Sequence, residues 1–309
     1  MSGMSASSLM WDTSGPRSNN HSGPWEQCPG FNGRRNGRHG RLNRTICQVA
    51  DRGGLRELVD LFAASHSEMN CVNLSTLLHR MARLAKHEKC VSMLKGDPQL
   101  AAIKNRVDAE LIAQVEAQLS MPHWGFELQR DSLPRCWSMI AWSYARLQIR
   151  NVNTFHMIAG LAKNQLLAFK PFELANLLWG FAKMRIVNME LLATVADVLP
   201  YHVTYCSPVS ISALAWSYAS LLRDPPSNVM SLLASQFLKQ LESAESQEIA
   251  NMCWAFATAK MAKYHTFKDL GSAAARKLAT FNIQELSNTA WAFARAGIWH
   301  NELIQAFGV

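Results

Sequence analysis

At 309 residues the chain has room for two globular domains or one extended array. An apolar fraction of 49% against 17% charged excludes wholesale disorder, and no run of about 18 apolar residues occurs, so no membrane span is expected. The formal charge of +8 is uneven: residues 1–46 carry six arginines against Asp12 and Glu26, whereas the other 263 residues carry 25 basic and 21 acidic side chains.

Residues 1–46, rich in Ser, Asn, Gly and Arg, are predicted to be a disordered basic tail. Such a tail suits nonspecific neutralisation of phosphates. It equally suits an organelle transit segment, being Arg- and Ser-containing and acid-poor. Its glycines at 30, 33, 37 and 40 match neither G-x-G-x-x-G nor a P-loop. Residues 47–120 read as an N-terminal helical cap, with helices near 54–65, 70–84 and 100–119 and an insertion or a partly lost unit near 86–98.

From residue 121 onward, tryptophan recurs. Trp142, Trp179, Trp216, Trp254 and Trp291 follow at intervals of 37, 37, 38 and 37 residues. With each Trp as position zero, the +2 residue is aromatic (Tyr144, Phe181, Tyr218, Phe256, Phe293) and the +3 residue is always alanine. Apolar residues at −5, −2, −1, +2, +3 and +5 make a wide stripe, as in a helix packed between two neighbours. Proline at −8 (Pro134, Pro171, Pro208) suits a first helical turn, Ser207 and Asn282 are N-cap residues, and Glu285 completes a capping-box pattern. The helices are predicted to stop near +6, where Arg223-Asp-Pro-Pro and Gly297 break them. A second amphipathic helix follows in each unit, at 152–166, 188–199, 227–241 and 265–279. Two helices per 37–38 residues predict an all-α fold, an α-solenoid of stacked hairpins. Segment 70–84 is a decayed copy, with His79 in the Trp place and Ala82 retained. The fifth repeat stops 18 residues after Trp291, leaving an apolar edge for a further segment or another chain to cover.

A polar line remains on each first helix at −3, +1 and +4, positions that share one face. Position −3 reads Met139, Asn176, Ala213, Asn251, Asn288; position +1 reads Ser143, Gly180, Ser217, Ala255, Ala292. Position +4 reads Arg146, Lys183, Ser220, Thr258, Arg295. A hydrogen-bonding residue, a small gap and an often basic residue, once per hairpin, could seat one nucleotide per repeat. The same line also fits the solvated face of an ordinary amphipathic helix. The candidate RNA contacts are Ser143, Arg146, Asn176, Lys183, Ser217, Ser220, Asn251, Thr258, Asn288 and Arg295.

No catalytic constellation stands out: H-E-x-x-H and G-x-S-x-G are absent, and carboxylates and histidines are scattered. The seven cysteines are odd in number and lack a C-x-x-C, which argues for reduced thiols in an intracellular compartment. His87 with Cys90 and His202 with Cys206 each offer two ligands where zinc takes three or four, so neither metal nor cofactor is expected.

The phrase around each tryptophan, seen as PFELANLLWGFAKM (171–184) and IQELSNTAWAFARAG (283–297), resembles the octotricopeptide repeat. The period and the central W-[AGS]-[FY]-A match that family over roughly residues 126–309, whereas tetratricopeptide units are shorter and lack this core. The family is similar to the helical part of FAST-kinase-like and RAP-domain proteins. The resemblance implies binding of single-stranded organellar RNA in the mitochondrial matrix or chloroplast stroma. It also implies a role in RNA processing, mRNA stability or translation regulation, with protein partners in a ribonucleoprotein complex. Nothing here resembles the RAP domain, so no enzyme activity is implied. The alternative expectation is an α-solenoid scaffold that binds an extended protein segment.

Overall fold

The computed structural model describes residues 37–85, 88–120 and 133–308, which are helical throughout, with no strand among them. Helices pack against neighbours in chain order, the architecture of a helical-repeat solenoid. The described residues divide into two compact units, 37–168 and 169–308.

The N-terminal unit runs α1 (Arg38–Asp51), α2 (Leu55–Ser65), α3 (Cys71–Leu84), α4 (Glu88–Lys95), α5 (Pro98–Ser120), α6 (Leu133–Arg146) and α7 (Val152–Lys163). Helices α1, α3 and α6 lie side by side, and α2, α5 and α7 form a second layer. Helix α1 corrects the expectation of disorder through residue 46; residues 1–36 lie outside the described residues. Its arginine-rich composition hides an apolar seam at a spacing of four, Leu42, Ile46 and Ala50, all buried. Asn73 of α3 ties the seam down by donating its amide to the His39 carbonyl at 3.0 Å. The predicted insertion contains a helix of its own, α4.

His79 takes the tryptophan place in α3 and packs on Trp142 of α6, ring centroids 5.2 Å apart. Burial, with repulsion from Arg83, Arg80 and Arg135, pushes its pKa from 6.5 down to about 3. Asp108 of α5 accepts hydrogen bonds from the Asn151 amide at 3.0 Å and from the Thr154 hydroxyl, fixing the start of α7.

The C-terminal unit holds four hairpins: α8 (Pro171–Met184) with α9 (Met189–His202), α10 (Pro208–Leu221) with α11 (Ser227–Leu238), α12 (Ser246–Thr258) with α13 (Tyr264–Lys277), and α14 (Ile283–Ala296) with α15 (Asn301–Ala306). The first helices of each hairpin press on one another much more closely than the second helices do. Alanine at +3 permits this: Ala182, Ala219 and Ala257 are buried between adjacent helices. Trp216 and Trp254 pack in a tilted pair at 35° with centroids 6.2 Å apart, and Trp254 and Trp291 stack at 6.3 Å, so the indoles form a ladder. Trp179, Trp216 and Trp254 are buried, whereas Trp291 is 39% exposed. On α14 the ring has a first helix on one side only among the described residues.

Local signals start and stop these helices. Pro171 and Pro208 occupy the first turn of α8 and α10. In α14 the Asn282 amide N–H donates to Glu285 at 2.9 Å while the Glu285 N–H donates to the Asn282 side chain at 2.9 Å, completing the predicted capping box. Glu173 and Glu248 accept equivalent bonds from the backbone of Lys170 and Glu245. At the other end the helices stop one or two residues before +6, because the +6 residue itself is left-handed. Gln148, Arg185, Lys260 and Gly297 have φ between 53° and 67°. In each case the +7 N–H bonds back to the +2 carbonyl, for example Ile186 to Phe181 at 3.0 Å and Ile298 to Phe293 at 3.1 Å, a Schellman closure. Repeat three departs from this: Leu222 is extended, and α11 begins one residue later in the repeat, which accounts for the single interval of 38.

Two outcomes follow from this packing. Trp216→Ala should cost about 3–5 kcal/mol, and because each hairpin contacts only its neighbours, amide exchange should quicken first in α8, α10 and α12. Hydrogen exchange measured along the chain checks this, and a uniform change throughout 169–308 would contradict it. His79 stays neutral when folded but takes a proton when unfolded between pH 6.5 and about 3. Its contribution is therefore complete above 6.5 and lost as pH falls toward 3. His79→Phe should flatten the slope of stability against pH in that window, as read from urea midpoints.

Candidate nucleic-acid interface

The indole ladder keeps α10, α12 and α14 in register, so equivalent positions on these helices line up in rows. Within one helix, −3 and +4 are seven residues and about 10 Å apart along the axis. In the C-terminal unit the −3 row therefore runs near the middle of the first helices, and the +4 row runs near their C-terminal ends.

The predicted residues fare differently. At +1, Ser143 and Ser217 are fully buried, and their hydroxyls donate to the carbonyls of Met139 at 2.6 Å and Ala213 at 2.7 Å. Ala255 and Ala292 are equally buried. Position +1 is thus part of the helix–helix seam, which corrects its assignment as a contact position. The reason is volume: only a small residue fits where the first helices approach most closely.

At −3, Asn176 and Asn288 are half-buried, and Asn251 is only 3% exposed. The Asn251 Nδ2 is buried with no hydrogen-bond partner. At +4, Ser220 and Thr258 are half-buried, and both hydroxyls are likewise buried and unpartnered. Lys183 is half-buried and Arg295 exposed. In the N-terminal unit, Arg146 places its guanidinium 5.8 Å from the centre of the Trp142 ring, a cation–π contact within its own helix.

The turns just beyond +4 hold further cations that the helix-face reading passed over: Arg185, Arg223, Lys260 and Lys263, all exposed. Their signal in the sequence is positional, since they recur at +6, +7 and +9 where each first helix ends.

In the N-terminal unit an open cleft of about 500 Å³ is lined by Arg38, Glu68, Asn70, Arg106 and Glu110, among others. Its ionised groups bond to one another and to backbone: Arg38 with Glu68, Arg106 with Glu110 at 3.3 Å, and Arg106 with the His66 carbonyl at 3.2 Å. Among the described residues no group of three or more His, Cys, Asp or Glu is placed to hold a metal ion, and no helix is long and apolar enough to cross a membrane. Cys71 and Cys136 are buried, and a bond from Cys136 together with burial holds the Cys71 thiol well above its usual pKa, the opposite of an activated nucleophile. No model of a known protein family matches this chain, and a search of curated proteins finds no match.

Proposed function

We propose that this chain is an RNA-binding helical-repeat protein of octotricopeptide type, which holds single-stranded RNA against the −3 and +4 rows of its first helices. The observation that carries this reading is the set of orphaned polar groups on those rows: Asn251 Nδ2, Ser220 Oγ and Thr258 Oγ1. A buried polar group left unpaired costs about 1–3 kcal/mol. Three of them fall on the same repeated line, with Tyr144 Oη, Gln284 Nε2 and Thr289 Oγ1 lying off it, and a line kept for an outside hydrogen-bonding partner would retain such groups just beneath its surface. Amides and hydroxyls suit base edges, and Lys183 and Arg295 suit phosphates. The repeat resemblance points to an organellar transcript in the mitochondrial matrix or chloroplast stroma, with action through binding in a ribonucleoprotein complex and not through catalysis.

Two measurements test the reading. Lys183→Ala combined with Arg295→Ala should lower the slope of log K against log salt for a single-stranded RNA pool by about 1.4, at roughly 0.7 per phosphate contact. An unchanged slope rejects these two residues as contacts, and no RNA binding by the wild type rejects the function. Asn251→Leu removes a buried unpaired amide, so it should raise stability by about 1 kcal/mol while weakening RNA binding. Stability raised with affinity unchanged would leave the amide without a role in binding. Capture of extended peptides in place of RNA would identify a protein scaffold.

A further inference from the structure

The two edges of the C-terminal unit differ in charge and in how that charge is used. One edge is formed by the turns that lead from each first helix to its second. Lys183 and Arg185, then Arg223, then Lys260 and Lys263, then Arg295 place at least one cation there in every hairpin. Against these six stand three carboxylates, Glu190, Asp224 and Glu302. The opposite edge, where second helices lead to the next first helix, has four basic residues against five glutamates. Two of those four cations are tied down: Arg276 pairs with Glu242 at 2.7 Å, and Lys277 donates to the carbonyls of Glu242 at 2.8 Å and Ala244 at 2.5 Å. On the first edge, Arg223, Lys260, Lys263 and Arg295 make no ion pair among the described residues.

Backbone geometry adds an independent observation. Arg185 and Lys260 sit at φ 53° and 55°, the left-handed position that Gly297 fills in the last hairpin at φ 67°. Glycine takes this conformation without the strain a side chain incurs. Complementing the helix dipole accounts for a cation anywhere in the last turn. It does not account for a cation on the one residue where glycine would relieve strain, since a neighbouring position would serve the dipole equally. Strain held in place by a residue's identity is a mark of function.

We infer that the phosphates of a bound single strand run along this turn edge, from Arg185 past Arg223, Lys260 and Lys263 to Arg295, with the bases directed back over the first helices toward position −3. The inference rests on the RNA-binding reading and deepens it: the −3 row on the helices meets the bases, and the C-terminal ends of the helices with their turns meet the backbone. A cation at this edge of every hairpin, in the turn or in the last helical turn before it, matches a polyanion whose charge repeats along its length.

The test uses the full chain and a randomised single-stranded RNA pool. In the variant Arg185→Gly with Lys260→Gly, both turns keep their left-handed geometry without strain. Its Tm should equal or exceed that of the wild type, and its salt slope should fall by about 1.4, again at roughly 0.7 per contact. The control, Lys170→Ala with Lys239→Ala, removes the same charge from exposed sites on the opposite edge and should keep the wild-type slope. A wild-type slope in the turn variant, or an equal fall in the control, overturns the inference while the RNA-binding reading stands. A lowered Tm in the turn variant overturns the strain argument. No RNA binding by the wild type defeats both.

Discussion

Close approach of neighbouring first helices is the constraint on which the C-terminal unit depends. A tryptophan at position zero needs a large complementary space, and alanine at +3 with a small residue at +1 lets the next helix supply it. The indoles then pack on one another with centroids 6.2 and 6.3 Å apart, which fixes the register of one hairpin on the next. Register is what turns a residue repeated in sequence into a row in space. Without it the amides and hydroxyls at −3 and +4 would be isolated polar side chains on separate helices. The same closeness buries Ser217 completely and satisfies its hydroxyl within its own helix, so packing claims one of the three positions on the polar line.

Parallel stacking has an electrostatic consequence. All first helices of the unit run the same way, so their N-termini share one edge and their C-termini the other. Carboxylates are favoured at N-termini and cations at C-termini, and each hairpin repeats that choice. Glu173, Glu248 and Glu285 close the N-termini as capping residues. For Glu248, burial raises the carboxyl pKa despite the stabilising bond from the Glu245 backbone, so this edge holds its charge at some cost. At the C-termini of α8, α12 and α14 the Schellman bonds already satisfy the last carbonyls, and the cations beyond them are left facing solvent. Small local preferences, each worth little alone, thus add up to a polarity across the whole unit because stacking aligns them.

Repeat three shows how far the pattern tolerates change. Its turn lacks the left-handed closure and gains one residue, with Pro225 buried in the loop. Tyr218 of that repeat sends its hydroxyl to the Leu192 carbonyl at 2.8 Å, a bond between adjacent hairpins that the phenylalanines at the same position in α8, α12 and α14 cannot make. The ladder continues through it, since Trp216 and Trp254 keep their ring contact, tilted at 35°. Turn chemistry can therefore vary so long as the tryptophan–alanine seam is kept.

The amino-acid sequence alone determined the repeat, the helical hairpins, the proline and capping-box starts, and the stop at +6, because each is written in residues a few positions apart or at one fixed period. Helix α1 escaped notice because composition spoke for disorder while three apolar residues at a spacing of four spoke for a buried seam, and only the partner helix α3 makes that seam count. The candidate line was legible as a line but not in its parts. Nothing in the letters separates Ser217, sealed in a seam, from Ser220, left without a partner, because burial depends on the volume of the neighbouring helix and not on the residue itself. The exposure of Trp291, the left-handed backbone at Arg185 and Lys260, and the division into two units were likewise decided by tertiary structure, since each arises from contacts between elements that a one-dimensional period does not encode.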